Sequence, residues 1–564
     1  MEILAFGIGC FSLLLALLGC LDAAASRLRI ALPLLAAIAG LTGGIAILVV
    51  DPVGRDWLLD PYDLWFLGSL SLTPQSVVTL LLPPLLFELT LGVDVRKLRQ
   101  DTVIVGVMAV IAVVVATGLV GLSLTLFAGV PLVASLLLGA TISTTDPAAV
   151  VAIFRRIGAP RRLLIVLEGE SLLNDAAAIA LFVLFIGMLR EQAHPTVGGV
   201  IGDFASLFAL GALTGIAVGW VASKALSLLH GNFPAQTSLS LAATYACYLI
   251  AEFAVGASGV VAVVSAGLTV TMSGASRVSS EDWGAVRTVW SQLGYWSNGM
   301  IILIAAALSP ALLVQLRPAD LALVALVVFG AFAARALILF VLLPVMDRLG
   351  ASSPITGTQK LLIWWGGIRG AVTLLLALSL ASSSALPPEL GTKLAAVGVA
   401  FVFFTLLING SSLAWVTRRL GLDRLSPSDQ ALRSELVERT IHRGIEHLTE
   451  LAREHDLTDS SIESVKQALL HRLEEFSASS HPTTVPAFRD RLRTGLIIVA
   501  NQERRIVRQH YDEGVVGRDT MRHLQRIAES LADAAMAEGR DGYAELADRH
   551  VDYPSQFRLA VWLQ

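Results

Sequence analysis

Charged residues are scarce in this sequence. Asp, Glu, Lys and Arg make up 15% of the 564 residues, whereas hydrophobic residues make up 55%, and the mean hydropathy is +0.71. This balance excludes an ordinary soluble globular protein and predicts a polytopic membrane protein. The net charge of −4 is too small to indicate a nucleic-acid partner.

Cysteine is also rare, and Cys10, Cys20 and Cys247 all lie in apolar stretches. Neither a disulfide framework nor a metal cluster is therefore indicated. The polar C-terminal part contains no phosphate-binding loop, catalytic triad or metal-ligand spacing. We expect neither an enzyme nor a bound cofactor.

Apolar runs of about 20 residues, the length that crosses a bilayer, repeat as far as Val416, and the chain beyond Asp423 has none. The fold class predicted is an all-α membrane domain over residues 1–420 and a soluble helical domain over 421–564. A window of about 19 residues predicts thirteen spans, at roughly 2–22, 28–50, 74–92, 103–128, 131–155, 162–189, 198–229, 236–256, 259–274, 284–308, 319–346, 359–382 and 392–417.

Lysine and arginine are concentrated in alternate loops, and this distribution predicts the orientation. One set of loops carries most of them, for example Arg96, Arg155 and Arg418, whereas the opposite set carries little beyond Arg55, Arg190, Arg317 and Lys393. The positive-inside rule makes the first set cytoplasmic. The N-terminus is then outside and the C-terminal domain inside the cell.

Four polar clusters interrupt the apolar spans, and the first two contain prolines. Glu88 follows the pair Pro83 and Pro84 in the third span; it is either a functional carboxylate or a side chain that snorkels to water near the cytoplasmic end. In the fifth span, TISTTDPAAV places Asp146 before Pro147, which biases the chain away from helical geometry. Hydroxyl and carbonyl oxygens around one carboxylate favour a hard cation, although a simple loop is the alternative.

The third cluster is EGESLLND, residues 168–175 of the sixth span. On a helix, Ser171 and Asp175 share one face, and Glu170 and Asn174 share the next. A charged group at this depth costs about 3 kcal/mol, so a bound ion is expected unless the cluster is a purely structural network.

The fourth cluster is GGIRG in the twelfth span, where three glycines around Arg369 permit an unwound segment. Its expected partners are Glu170 and the carbonyl end of a broken helix. Arg335 is a second intramembrane cation for which the sequence gives no firm partner. Broken helices at corresponding positions, here the fifth and twelfth, mark the substrate site of transporters built on inverted repeats.

These residues resemble the monovalent cation:proton antiporters of the NhaP/NHE type, the sodium/hydrogen exchanger family. The resemblance covers the membrane domain and rests on LLPPLLFE at 81–88, STTDPAAVVAIF at 143–154, EGESLLND at 168–175 and GGIRGAV at 366–372. It implies a thirteen-span fold with a dimerising scaffold half and a mobile core half, and hence a homodimer in the cell membrane.

The resemblance also implies roles for individual residues. Asp175 would bind either a cation or a proton, and Asp146, Ser171 and the Thr145 carbonyl would complete the Na⁺ shell. Glu88 would lie beside Asn174, and Glu170 would form an ion pair with Arg369. Asn174 is informative because relatives with Asn-Asp at these positions tend to be electroneutral.

The chemistry of the residues agrees with this. Burial favours a neutral, protonated carboxylate and a neighbouring cation favours the ionised form, so cation and proton compete for one site. The sequence predicts exchange of Na⁺ or Li⁺ for H⁺, with K⁺/H⁺ exchange as the runner-up. A cation channel and a transport-inactive sensor that signals through its C-terminal domain are hypotheses from other classes.

The C-terminal domain is predicted to contain about four amphipathic helices, Asp429–His455, Ser460–Phe476, Val485–Tyr511 and Gly517–Glu538. It holds eight of the ten histidines, which permits a pH-sensing role, although solvated surface histidines are commoner. Regulation or dimer contact is the hypothesis for this domain.

Overall fold

The structure is a computed structural model. It describes residues 2–28, 30–50, 74–92, 95–156, 161–191, 196–229, 231–274, 280–348, 356–422, 440–445, 448, 459–479 and 488–551. These residues form helices and connecting turns, and their one extended pairing is an isolated bridge between Asp146 and Ile368. The chain divides into two compact units, Met1–Arg155 with Leu163–Thr417, and Arg156–Arg162 with Arg418–Gln564.

The helices up to residue 419 are, in chain order, α1 (Glu2–Leu28), α2 (Leu32–Val50), α3 (Pro74–Gly92), α4 (Val95–Ala128), α5 (Leu132–Ser143), α6 (Ala148–Arg156), α7 (Arg161–Glu191), α8 (Val197–Leu228), α9 (Phe233–Leu249), α10 (Gly259–Gly274), α11 (Ser280–Leu313), α12 (Leu321–Leu337), α13 (Leu343–Arg348), α14 (Gly357–Trp365), α15 (Ala371–Ala381), α16 (Pro388–Phe404) and α17 (Ser411–Arg419).

The predicted all-helical, polytopic architecture is confirmed. Nine helices of the described chain are long and apolar enough to cross a membrane, and four shorter apolar helices are Ser76–Gly92, Leu132–Ser143, Gly259–Ser273 and Ala371–Ala381. Together they match the thirteen predicted spans in order. The shorter ones include the ninth span and one half of each predicted broken helix.

Both predicted helix breaks are present. Helix α5 ends at Ser143, Thr144 is extended, and α6 begins at Ala148, directly after Pro147. Helix α14 ends at Trp365 and α15 begins only at Ala371. Proline and glycine cause the breaks for the expected reasons, because proline lacks a backbone donor and glycine weakens a helix.

Three π-helical turns in the described part of the chain were not predicted. They are Ile250–Val255 after α9, Ile338–Leu342 between α12 and α13, and Thr405–Gly410 between α16 and α17. A π-helical turn widens the hydrogen-bonding step from four to five residues and is frequent at functional sites. Hydropathy patterns cannot predict a π-helical turn, because a span is apolar whether or not it contains one.

Helices α8 and α10 approach each other along a row of small residues. A Cβ atom at Gly215 would overlap the Ala262 carbonyl oxygen, and Gly211 and Gly219, one turn to either side, are similarly close to Ser258 and Ala266. Small residues at every fourth position allow this close packing in a membrane, where apolar side chains gain little by leaving lipid.

The C-terminal part contains α18 (Asp459–Ser479), α19 (Phe488–Asp512), α20 (Arg518–Glu538) and α21 (Arg540–Val551). Three predicted helices correspond to α18, α19 and α20, whereas α21 was not predicted and most of the predicted Asp429–His455 lies outside the described residues. Packing of Ala500 against Leu531 and Ala532 holds α19 on α20.

Candidate ion-binding site

The two helix breaks cross each other. The Asp146 N–H donates a 2.9 Å hydrogen bond to the Ile368 carbonyl oxygen, and the two residues form an antiparallel bridge. The Thr144 and Thr373 hydroxyls are hydrogen bonded to each other beside it. Exposed backbone groups at membrane depth need partners within the protein, and here each break supplies one for the other.

Asp146 lies at the start of two half-helices. Its Oδ1 accepts a 2.9 Å hydrogen bond from the Ala148 N–H at the start of α6. A Cβ atom at Gly370, the residue before α15, would lie 3.1 Å from Asp146 Oδ2, so the carboxylate packs directly on that backbone. Helix N-termini carry partial positive charge, and the Asp146 carboxylate lies beside two of them.

Helix α7 brings its polar residues to the same break. Ser171 Oγ donates a 2.7 Å hydrogen bond to the Thr145 carbonyl oxygen, and Asn174 Nδ2 donates a 3.1 Å bond to Thr145 Oγ1. Asn174 is 2% exposed, and its Oδ1 has no hydrogen-bond partner. The structure therefore brings two predicted residues, Ser171 and Asn174, into direct contact with a third, Thr145.

Asp175 completes the group. The charges that act on its carboxylate are those of Asp146, Arg369 and Glu170. In the described part of the chain, Asp175 accepts no hydrogen bond from the protein, although it is only partly exposed. A partly buried carboxylate that lies within electrostatic range of a second carboxylate and lacks protein donors is suited to bind a cation or a proton.

Arg369 caps the end of a half-helix. Its Nε donates a 2.9 Å hydrogen bond to the Ile142 carbonyl oxygen in the last turn of α5, and one terminal nitrogen donates to the Gly367 carbonyl at 3.0 Å. Its guanidinium carbon lies 5.3 Å from the centre of the Phe401 ring, within reach of a cation–π contact. Carbonyl groups at a broken helix were one of the two kinds of partner expected for Arg369, and these hydrogen bonds are of that kind.

The other expected partner of Arg369 is not seen. No ion pair within 4.0 Å joins Glu170 to Arg369 among the described residues. The charge of Arg335 acts on Glu170 more strongly than that of Arg369. Arg369 instead donates hydrogen bonds to backbone carbonyls at the breaks, because the last turn of a helix leaves carbonyl groups without an intrahelical partner.

Arg335, for which no firm partner was predicted, has a role parallel to that of Arg369. Its Nε donates a 3.0 Å hydrogen bond to the Ile363 carbonyl oxygen in the last turn of α14. Each of the two half-helices that end at the crossing thus has an arginine at its carbonyl end, which offsets the partial negative charge there.

Glu88 lies against α11, and its expected place beside Asn174 stays a prediction. It makes no hydrogen bond to Asn174, and a Cβ atom at Gly294 of α11 would lie 2.8 Å from Glu88 Oε2. Arg287 is the cation whose charge acts on it. Glu88 therefore packs between α3 and α11, since a glycine there leaves room for its carboxylate.

Thr373, Thr405 and Asn409 were missed by the sequence reasoning, although they contact the breaks. The Arg369 N–H donates to Thr405 Oγ1 at 3.2 Å, and Asn409 Nδ2 donates to the Trp365 carbonyl at 2.9 Å. The available signal was the polar stretch TLLING at 405–410 of the last span. It has no proline or ionisable residue, so it did not stand out.

Two crossed, interrupted helices with carboxylates, hydroxyls and capped helix ends at the crossing define a class of protein, the secondary transporters with a discontinuous-helix site. A profile of the family described as "Sodium/hydrogen exchanger, transmembrane" matches residues 12–419. The chain belongs to this family of multi-pass membrane transporters.

Two similar proteins from this comparison are named as Na(+)/H(+) antiporters. The chain is 30% identical over 420 residues to the Na(+)/H(+) antiporter ApNhaP of Aphanothece halophytica, which covers 72% of this chain and 76% of the relative. It is 28% identical over 383 residues to the low-affinity Na(+)/H(+) antiporter NhaS1 of Synechocystis, with 66% and 69% covered.

Among solved structures, the sodium proton antiporter MjNhaP1 of Methanocaldococcus jannaschii is similar to this chain with a TM-score of 0.60. The match covers 75% of this chain and 100% of that protein at 17% identity. This similarity shows that the two share a fold.

Proposed function

We propose that this protein exchanges Na⁺ or Li⁺ for H⁺ across the cell membrane, and that cation and proton compete for Asp175. The observation that carries the proposal is the placement of Asp175 on α7, within electrostatic range of Asp146 and without a protein hydrogen bond among the described residues. The names of the two antiporter relatives support the same activity.

The proposed cation shell consists of oxygen atoms. Asp175 and Asp146 supply carboxylates, Ser171 a hydroxyl and Thr145 a carbonyl, which are the ligands that hard monovalent cations prefer. The Ser171 hydroxyl now donates to the Thr145 carbonyl, and each oxygen keeps a lone pair for an ion. Asn174 borders the shell through Thr145. No organic cofactor is required.

Competition at one carboxylate gives the coupling. A proton or a cation neutralises Asp175, whereas an empty, ionised site is costly to carry across an apolar barrier. The core then changes its access only when one of the two is bound. One charge moves in each direction, so we propose electroneutral exchange, with Asn174 adding no charge. The proposed cation is Na⁺ or Li⁺, and K⁺/H⁺ exchange is the alternative.

We further propose an orientation and an oligomeric state. The N-terminus lies outside, the C-terminal domain lies in the cytoplasm, and two copies associate through the scaffold half. The soluble helices α18 to α21 carry regulation or a dimer contact.

The test is transport in liposomes with an imposed pH gradient, with internal pH followed as NaCl, LiCl, KCl or choline chloride is added. Asp175→Asn is compared with the wild type. The matched control is Glu168→Gln, seven residues earlier on the same helix, because Glu168 is paired with Arg155 at 2.5 Å.

We expect Na⁺ and Li⁺ to dissipate the gradient in the wild type and in Glu168→Gln, and not in Asp175→Asn. Clamping the membrane potential should leave the rate unchanged. A response to K⁺ alone would favour the alternative cation. Cation flux without proton counterflow would identify a channel, and no response to any cation would reject the exchanger.

A further inference from the structure

The last span contains a π-helical turn, Thr405–Gly410, that faces the twelfth-span break. Its two polar side chains that contact the break are fully enclosed, since Thr405 is 1% exposed and Asn409 is 0% exposed. Buried polar groups in a membrane span require partners inside the protein. Both find them on the break at residues 366–370.

Thr405 holds the end of that break. Its Oγ1 donates a 2.9 Å hydrogen bond to the Val402 carbonyl and accepts the Arg369 N–H at 3.2 Å. The Arg369 N–H precedes the first turn of α15 and has no intrahelical acceptor, so the threonine hydroxyl satisfies a donor that the break leaves open.

Asn409 holds the beginning of the break. Its Nδ2 donates a 2.9 Å hydrogen bond to the carbonyl of Trp365, the last residue of α14. The indole Nε1 of Trp365 in turn donates to Ser412 Oγ at 2.9 Å. The extra residue of a π-helical turn rotates the following helix by about 100°. Helix α17 therefore presents a different face to α14 than an uninterrupted α-helix would.

The segment between these two contacts leads directly to the ion site. Ile368 lies between Trp365 and Arg369, and its carbonyl oxygen accepts the Asp146 N–H. A Cβ atom at Gly410, the last residue of the π-helical turn, would lie 3.8 Å from Ile368 Cδ1. The position of Ile368 thus depends on contacts with the π-helical turn on both sides.

Asn409 makes its hydrogen bond through one side of its amide. Its Oδ1 is buried without a hydrogen-bond partner, whereas its Nδ2 donates to the Trp365 carbonyl. An apolar side chain would leave that carbonyl without this donor. The polar contact of Asn409 is therefore directed at the beginning of the break.

We propose that Thr405 and Asn409 are positioning residues of the ion site, which fix the unwound segment and, through the Ile368 carbonyl, the position of Asp146. The inference rests on the proposed function and extends it to the last span. Neither side chain is assigned to touch the ion.

The experiment uses the full chain in liposomes and compares Thr405→Val, Thr405→Ser and Asn409→Leu with the wild type. The matched control is Thr392→Val, which removes an exposed hydroxyl bonded to the Pro388 carbonyl on α16. The apparent KM for Na⁺ and the maximal rate per folded protein are measured, together with the rise in Tm caused by Na⁺.

We expect Thr405→Val and Asn409→Leu each to raise the apparent KM for Na⁺ by about five-fold, which corresponds to one hydrogen bond of about 1 kcal/mol. They should also reduce the Na⁺-dependent rise in Tm, because weaker binding stabilises less. Thr405→Ser retains the hydroxyl and should resemble the wild type, as should Thr392→Val.

The inference is overturned if both variants bind Na⁺ with a KM within about two-fold of the wild type. It is also overturned if both fail to fold while Thr405→Ser and Thr392→Val fold, because the role is then purely structural. If the wild type shows no exchange, the proposed function fails, and the Na⁺-dependent rise in Tm still decides the positioning role.

Discussion

The backbone of Asp146 is hydrogen bonded to the backbone of Ile368, which lies more than two hundred residues further along the chain. This bond joins the breaks of the fifth and twelfth spans. The side chain of Asp146 remains available because the main chain makes the connection. Asp146 can therefore join the two breaks through its backbone and serve as an ion ligand through its side chain.

Substitutions at Asp146 should separate its charge from its capping role. Asp146→Asn keeps an oxygen that accepts the Ala148 N–H, whereas Asp146→Ala removes the cap and should cost about 1 kcal/mol more in the free energy of unfolding. Both variants lose the carboxylate and should lose Na⁺-dependent stabilisation. Thermal unfolding with and without Na⁺ measures both effects. Equal stability of the two variants in Na⁺-free buffer would contradict the capping role.

Glu170 should couple more strongly to Arg335 than to Arg369. Glu170→Gln is combined with Arg335→Gln in one double-mutant cycle and with Arg369→Gln in another, and the free energy of unfolding is measured for each variant. Groups in one charge network couple by about 0.5–3 kcal/mol, and the Arg335 cycle should give the larger value. A larger coupling with Arg369 would instead support the ion pair between Glu170 and Arg369 that the family resemblance implies.

Gly215→Ala should destabilise the packing of α8 on α10. The added Cβ atom would overlap the Ala262 carbonyl oxygen, and overpacking of this kind costs about 1–3 kcal/mol. Gly202→Ala is the control on the same helix, because nothing lies within 4 Å of a Cβ atom there. It should be neutral or stabilising by up to about 1 kcal/mol. A similar Tm for both variants would argue against the close approach.

Asp320→Ala should cost more stability than Lys393→Ala. Asp320 Oδ1 pairs with Lys393 Nζ at 2.6 Å, and Oδ2 accepts the Arg317 N–H at 3.0 Å. Removing the lysine loses one contact, whereas removing the aspartate also loses a helix cap worth about 1 kcal/mol. Chemical or thermal unfolding of the two variants measures the difference.

Lys466→Ala is the control for that comparison. Lys466 pairs with Glu463 at 3.5 Å on an exposed face of α18, and exposed pairs contribute about 0–1 kcal/mol. A loss for Asp320→Ala no greater than for Lys466→Ala would show that the Asp320 contacts do not stabilise the fold.

Much of the site could be predicted from local sequence. Pro147 and the glycines around Arg369 mark breaks because their effects act within a few residues. Ser171 and Asp175 could be assigned to one helix face by their spacing alone. Thr405 and Asn409 could not be predicted in this way, because a hydroxyl and an amide in an apolar span give no local sign of their partners.

The class of this protein, the order of its predicted spans and the places where two of them break follow from local sequence. Hydropathy, span length and proline or glycine content act locally, so no tertiary contact is needed to recognise them. The folded structure was needed to show which groups meet, namely Asp146 with Ile368, Arg335 with Ile363, and Glu88 with Gly294. Those pairings depend on how each helix is rotated and packed, and residues far apart in the chain determine that jointly.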